Sequence, residues 1–138
     1  IRNYKLDDAD TVVVAMGSIT GLVEEAVDTL RGKGQKVGLL KIKTLRPFPT
    51  DKVREALSGK KHVVVMDRAM SAGYGEILGS EIKAALYGTP NPPAIDSFIY
   101  GLGGRDIHED EIIGMINRPN PGTHRSEWVG LRPDLLEE

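Results

Sequence analysis

The chain has 138 residues, 18 basic against 20 acidic side chains, a formal net charge of −2 and no cysteine. This length fits one domain that buries roughly 68% of its unfolded surface, and the balanced charge gives no electrostatic case for nucleic acid or an anionic membrane. Without cysteine the chain forms no disulfide, thiolate zinc site or Cys-ligated iron–sulfur cluster, and an aromatic content of 5% is too thin for a base-stacking surface. No run approaches the ~20 apolar residues of a membrane span. The lack of cysteine is compatible with a reducing cytoplasm, the expected location. The sequence starts at Ile1 rather than Met, which suggests a fragment of, or a separate piece from, a longer subunit.

Residues 11–16 (Thr-Val-Val-Val-Ala-Met) form a β-branched, nearly all-apolar run that suits a strand buried on both faces. Apolar residues then recur at Leu22, Val23, Ala26, Val27 and Leu30, which is helical spacing. Ser18 or Thr20 is positioned to cap that helix, and Gly32-Lys33-Gly34 to stop it. The unit repeats with a strand over 36–43, the stiff loop Arg46-Pro47-Phe48-Pro49, and a short helix from Thr50, the expected cap, to Leu57. A third strand covers 62–66, with Asp67-Arg68 at its C-terminal end. A small-residue loop over 69–75 leads to a helix ending near Tyr87. The run Gly88-Thr89-Pro90-Asn91-Pro92-Pro93 breaks the chain before a strand over 94–100. Gly101-Leu102-Gly103-Gly104 is a glycine turn, and Asp106-Ile107-His108-Glu109 reads as a capping box with Asp106 as the cap. The last helix runs to about Asn117. The segment 123–138 is a polar tail, except around Trp128, that either wraps back or reaches a partner. Four strands alternating with four helices predict parallel βαβ units in a three-layer α/β/α domain over 1–138, with its core in 1–122. The expected sheet has four to five strands.

Ligands in open α/β sheets bind beyond the C-terminal strand ends, so the loops there are the candidate sites. The loop at 17–21 can hold a phosphate at a helix N-terminus, and it is weakly similar to the flavodoxin phosphate loop. It lacks Gly-x-Gly-x-x-Gly and a Walker lysine, and a capped tight turn is the favoured reading. Asp67 at a strand end suits a phosphoacceptor, but Asp7, Asp8 and Asp10 precede the first strand instead of following it. A turn-stabilising Asp67–Arg68 pair is the simpler reading. In residues 101–106, glycines permit close approach of another backbone, and Arg105 can pair with a carboxylate or phosphate. His62, a partly exposed edge residue on this reading, His108 and His124 have no metal-ligand spacing. No Gly-x-Ser-x-Gly elbow is present. No catalytic, cofactor-binding or metal residue is therefore assigned.

Several stretches resemble the 2-oxoacid:ferredoxin oxidoreductases, pyruvate synthase type, in the C-terminal domain of their alpha subunit. They are Ala15-Met16-Gly17-Ser18, Val37-Gly38-Leu39-Leu40-Lys41-Ile42, Leu45-Arg46-Pro47-Phe48-Pro49 and Val65-Met66-Asp67-Arg68. Phe98-Ile99-Tyr100-Gly101-Leu102-Gly103-Gly104-Arg105-Asp106 and Trp128-Val129-Gly130-Leu131 continue the likeness. The resemblance implies a fold like the transketolase C-terminal domain, with an antiparallel edge strand that suits residues 4–6. For the whole enzyme it implies conversion of a 2-oxoacid plus CoA to acyl-CoA, CO2 and reduced ferredoxin. Thiamine diphosphate, magnesium and iron–sulfur clusters would be held on other domains or subunits. On this basis the chain is a non-catalytic interface domain. Its candidate contacts are Arg46, Pro47, Phe48, Gly101, Gly103, Gly104, Arg105, Asp106 and Trp128. Its partners are the other domains or subunits of the enzyme. A free-standing phosphate- or nucleotide-binding module, and an interaction domain of a transketolase-like synthase, are the alternatives.

Overall fold

The computed structural model describes residues 1–68, 70–71, 75–101 and 106–130. In chain order the elements are β1 (Arg2–Tyr4), β2 (Thr11–Met16), a 3-10 turn (Gly17–Ile19), α1 (Thr20–Gly32), β3 (Val37–Ile42) and α2 (Thr50–Leu57). The second half contains β4 (His62–Asp67), β5 (Met70–Ser71), β6 (Gly75–Glu76), α3 (Ile77–Leu86), β7 (Ala94–Ile99), α4 (Glu109–Ile116) and β8 (Glu127–Trp128). The main sheet has six strands in the order β1-β3-β2-β4-β7-β8, and β5-β6 form a separate two-stranded ribbon. β1 is antiparallel to β3, and every other pairing in the main sheet is parallel. The sheet is thus one strand larger than the four to five expected. β8 supplies the extra strand, from the segment read as a tail.

The alternation of side chains across the sheet sorts the core into two layers. Val13, Ala15, Leu39, Val64, Met66 and Phe98 pack under α1 and α4. Val12, Val14, Leu40, Ile42, Val63 and Val65 pack under α2 and α3. Both faces of β2 and β4 are covered, which is why their sequences are continuous apolar runs rather than alternating ones. α1 turns Val23, Ala26, Val27 and Leu30 inward, the spacing of one helical face. It ends where Gly34, at φ +85°, lets its own amide reach the Arg31 carbonyl and the Gln35 amide reach the Leu30 carbonyl.

Three expected caps lie elsewhere. No side chain caps the 3-10 turn or α1; the Thr20 hydroxyl instead donates to the Gly17 carbonyl at 2.9 Å. Pro49, not Thr50, precedes α2, and its carbonyl accepts the Val53 amide. α4 starts after His108, and the Glu111 carboxylate accepts the His108 amide at 3.2 Å. The box motif is real but sits two residues beyond Asp106. His62 is also not an edge residue. It lies on β4 between β2 and β7, is 7% exposed, and donates through Nε2 to Asp96 Oδ2 at 2.5 Å.

The antiparallel edge strand is β1, two residues earlier than residues 4–6, and Leu6 turns inward as a core residue instead. A close approach fixes its position: a Cβ on Gly38 would lie 2.6 Å from the Lys5 carbonyl oxygen. Gly38→Ala is therefore expected to push the segment 1–6 off β3 and destabilise the fold by about 1–3 kcal/mol. Gly114→Ala, in α4 with open space around it, is expected to stabilise by about 1 kcal/mol. Urea unfolding of the two variants tests the contrast, and equal midpoints would contradict it.

Candidate functional site

The C-terminal ends of β2, β3, β4 and β7 share one side of the sheet, because these strands are parallel. The helix after β2 packs on one face, and the helix after β4 packs on the other. The gap between the ends of β2 and β4 is thus a topological switch point, where open α/β sheets form their crevice.

A cavity of about 240 Å³ lies at this point. Ser18, Ile19 and Leu22 line it from beyond β2, Arg68 from beyond β4, and Tyr100 and Asp106 from beyond β7. Tyr100 is 6% exposed. Burial pushes its phenol up, and the nearby Arg68 charge acts against that push. Larger hollows of about 510 and 540 Å³ lie toward the opposite ends of the strands, beside Lys52 and beside Tyr87.

Asp67 holds the start of α3. It is 4% exposed, and its Oδ2 accepts the backbone amides of Leu78 at 2.6 Å and Gly79 at 3.1 Å. A carboxylate in that position satisfies the free amides of the α3 N-terminus and suits its dipole.

The predicted contact residues fall along the same side. Arg46 and Pro47 are exposed and Phe48 is half-buried against the α2/α3 layer. Arg46 Nη1 donates to Glu81 Oε1 at 2.6 Å and to the Leu45 carbonyl at 2.8 Å. Gly101 is half-buried and Asp106 exposed. Gly103, Gly104 and Arg105 lie outside the described residues. Trp128 on β8, 38% exposed, pairs with Ile99 of β7. The structure therefore brings Gly101, Asp106 and Trp128 to the ends of β7 and β8. The loop holding Arg46, Pro47 and Phe48 stands beyond β3, near the other flank.

Sequence reasoning missed two buried carboxylates that hold the segment 118–128 in place. Asp96, fully buried on β7, accepts the amides of Gly122 and His124, both at 2.9 Å, besides His62. Burial pushes its carboxyl up, but the His124 amide, His62 and the Gly122 amide together hold it below the usual range. The His124 ring stacks on Phe98 and bonds to Glu127 Oε2 at 2.9 Å and the Pro119 carbonyl at 2.8 Å. Glu76 is 4% exposed, with Lys83 Nζ 2.5 Å from its Oε1 and the Ser126 hydroxyl on its Oε2. Ser126 adopts φ +51° to reach it.

There is no cysteine to ligate an iron–sulfur cluster. Among the described residues no three His, Asp or Glu side chains converge to hold a metal ion. No helix among them is long and apolar enough to cross a membrane.

Residues 9–112 match the family described as pyruvate:ferredoxin oxidoreductase core domain II. "Pyruvate synthase subunit PorA" of Thermotoga maritima is 46% identical over 112 residues, covering 81% of this chain and 29% of that protein. The protein of the same name from Methanocaldococcus jannaschii is 40% identical over 134 residues, covering 96% and 33%. "Ketoisovalerate oxidoreductase subunit VorA" of Pyrococcus furiosus is 45% identical over 112 residues, covering 81% and 28%. The chain thus spans about a third of the length of these relatives. Among solved structures, a split-gene transketolase (inactive beta4 tetramer) superposes with a TM-score of 0.63 at 17% identity, over 83% of this chain and 41% of that one. The 2-oxoglutarate:ferredoxin oxidoreductase of Magnetococcus marinus superposes with a TM-score of 0.55 at 22% identity, over 78% and 17%. Both likenesses concern the fold.

Burial pushes the Glu76 carboxyl up, but Lys83 and Ser126 outweigh it and hold it at about 2, below its ordinary 4.5. A carboxyl depressed in the folded state adds stability above its unfolded pKa, and that stability is lost as the pH falls through the folded one. Glu76→Gln is expected to destabilise the chain at pH 7 and to flatten the loss of stability between pH 4.5 and about 2. Urea titrations across that range check it; an acid limb as steep as in the unaltered chain would refute the assignment.

Proposed function

The chain belongs to the pyruvate:ferredoxin oxidoreductase core domain II family, and on that premise we propose that it is the contact-making, non-catalytic domain of a 2-oxoacid:ferredoxin oxidoreductase alpha subunit. The observation that carries this reading is coverage. Almost the whole chain aligns with a PorA subunit, yet it accounts for only a third of that subunit.

The whole enzyme would convert a 2-oxoacid, pyruvate first among the candidates, and CoA to acyl-CoA and CO2. It would pass the electrons to ferredoxin in the cytoplasm. Thiamine diphosphate, magnesium and the iron–sulfur clusters would sit on other domains or subunits, since this chain offers no thiolate to a cluster. The chain's share of the work would be to hold those parts in register. Arg46, Pro47 and Trp128 suit that role: they are exposed at the surface, and a stiff proline loop and a tryptophan lose little conformational freedom when they dock. Gly101, Gly103, Gly104, Arg105 and Asp106 form the second proposed contact, where glycines permit a neighbouring backbone to approach.

The test is association of this chain with the remainder of the alpha subunit, expressed separately. Trp128→Ala and Arg46→Ala are expected to weaken association by roughly tenfold each, the size of an interface anchor. The melting temperature of the isolated chain should hardly move, because both side chains are exposed. Undiminished association in the double variant would refute the contact assignment.

A further inference from the structure

A second surface lies at the ends of the strands opposite the crevice. Among the described residues only two large hydrophobic side chains are exposed, Trp128 at 38% and Tyr87 at 86%. Trp128 belongs to the contact already proposed, and Tyr87 does not. Tyr87 closes α3 and borders the hollow of about 540 Å³, which Leu86, Pro93 and Ile95 also line. A smaller hollow of about 150 Å³ shares Leu86 and Pro93 with it. An aromatic ring left in water beside an apolar hollow is surface that docking would remove from solvent.

The charges at this surface have one sign. Lys83 and Arg125 line the larger hollow and Arg54 the smaller, and no carboxylate lines either among the described residues. The chain as a whole carries −2, so the patch runs against the average. Glu76 and Asp96, the carboxylates bonded to the segment 122–126, are buried within the fold. Lys83 is already paired with Glu76. Arg54 and Arg125, both exposed, are left as the cations not met by a carboxylate. The surface is also fixed in advance. Thr89 donates its amide and its hydroxyl to the Leu86 carbonyl at 3.2 and 2.7 Å, and Arg54 Nε donates to the Ala85 carbonyl at 2.8 Å. Pro90, Pro92 and Pro93 stiffen the loop that follows. A preorganised surface loses little freedom when a ligand arrives.

We propose that this face docks an extended acidic segment of a partner protein, with an aliphatic side chain against Tyr87 and Pro93 and flanking carboxylates on Arg125 and Arg54. Opposite charge selects the acidic class of partner. A second copy of this chain is a poor source of such a segment, because its acidic clusters are engaged. Asp8 and Asp10 pair with Arg31 and Lys61, and Glu109 and Glu111 are bonded to Thr29 and to the His108 amide. The surface is separate from the contact proposed at the C-terminal strand ends, and either assignment can fail without the other.

The experiment titrates a short fluorescein-labelled peptide, one Leu flanked on both sides by Asp and Glu, with the 138-residue chain. Fluorescence anisotropy reads the binding. Saturable binding is expected, and it should weaken as sodium chloride is added. Tyr87→Ser and Arg125→Gln are each expected to weaken it about tenfold, the size of one anchor or one charge-assisted hydrogen bond. The melting temperature should not move, because both side chains are exposed. Trp128→Ala is expected to leave peptide binding unaltered. The proposal is overturned if the peptide does not bind saturably, or if a peptide with Lys in place of Asp and Glu binds as tightly. It is equally overturned if Tyr87→Ser and Arg125→Gln bind like the unaltered chain, if Trp128→Ala weakens binding as much as they do, or if sedimentation shows the chain dimerising through a contact that Tyr87→Ser abolishes.

Discussion

β2 and β4 lie side by side at the middle of the sheet with both faces covered, and Val12, Val13, Val14, Val63, Val64 and Val65 are all fully buried. A strand in that position has no solvent for its backbone, so every amide and carbonyl must be satisfied by the ladder. It also has no room for a polar side chain without a partner. The constraint pushes chemistry out of the strands and into the loops at their C-terminal ends. Ser18, Arg68 and Asp106 all stand beyond strand ends, and the crevice exists because the helices after β2 and β4 leave in opposite directions.

The exceptions to that exclusion show what it costs to keep a charge inside. Asp96 and Glu76 are buried, and each is surrounded by donors: two amides and His62 around the first, Lys83 and Ser126 around the second. A buried carboxylate left unpaired would cost far more than its bonds contribute. Here the donors are supplied largely by the segment 122–126. The two carboxylates therefore act as receptors for a stretch of chain that has little apolar surface of its own. β8 then adds to β7 and covers the edge of the sheet.

The features legible in the sequence were those with a local signature. Continuous valines marked the buried strands, and the spacing of Val23, Ala26, Val27 and Leu30 marked α1. The resemblance supplied the family and the antiparallel edge strand, which composition alone does not contain. β8 was not legible, because two residues have no period, and what fixes them is Asp96, 28 positions before His124. His62 looked like an edge residue because its partner is 34 positions away. Glu76 and Ser126 are separated by 50. Polar pairs across such distances leave no pattern in a single sequence. The caps failed for a different reason: α1 is entered through a 3-10 turn and α2 through Pro49, so the chain reaches helical geometry before the Ser or Thr expected to start it.

On the reading that this is a contact-making domain, docking against a neighbour needs exposed anchors, and Pro47 and Trp128 meet that need at the flanks of the sheet. Trp128 stands where it does because β8 adds to β7, and the chain around β8 is held by Asp96 through the His124 amide and by Glu76 through the Ser126 hydroxyl. Two buried carboxylates thus set the position of an exposed aromatic ring, so the polar pairs inside the domain and its candidate docking surface are one construction.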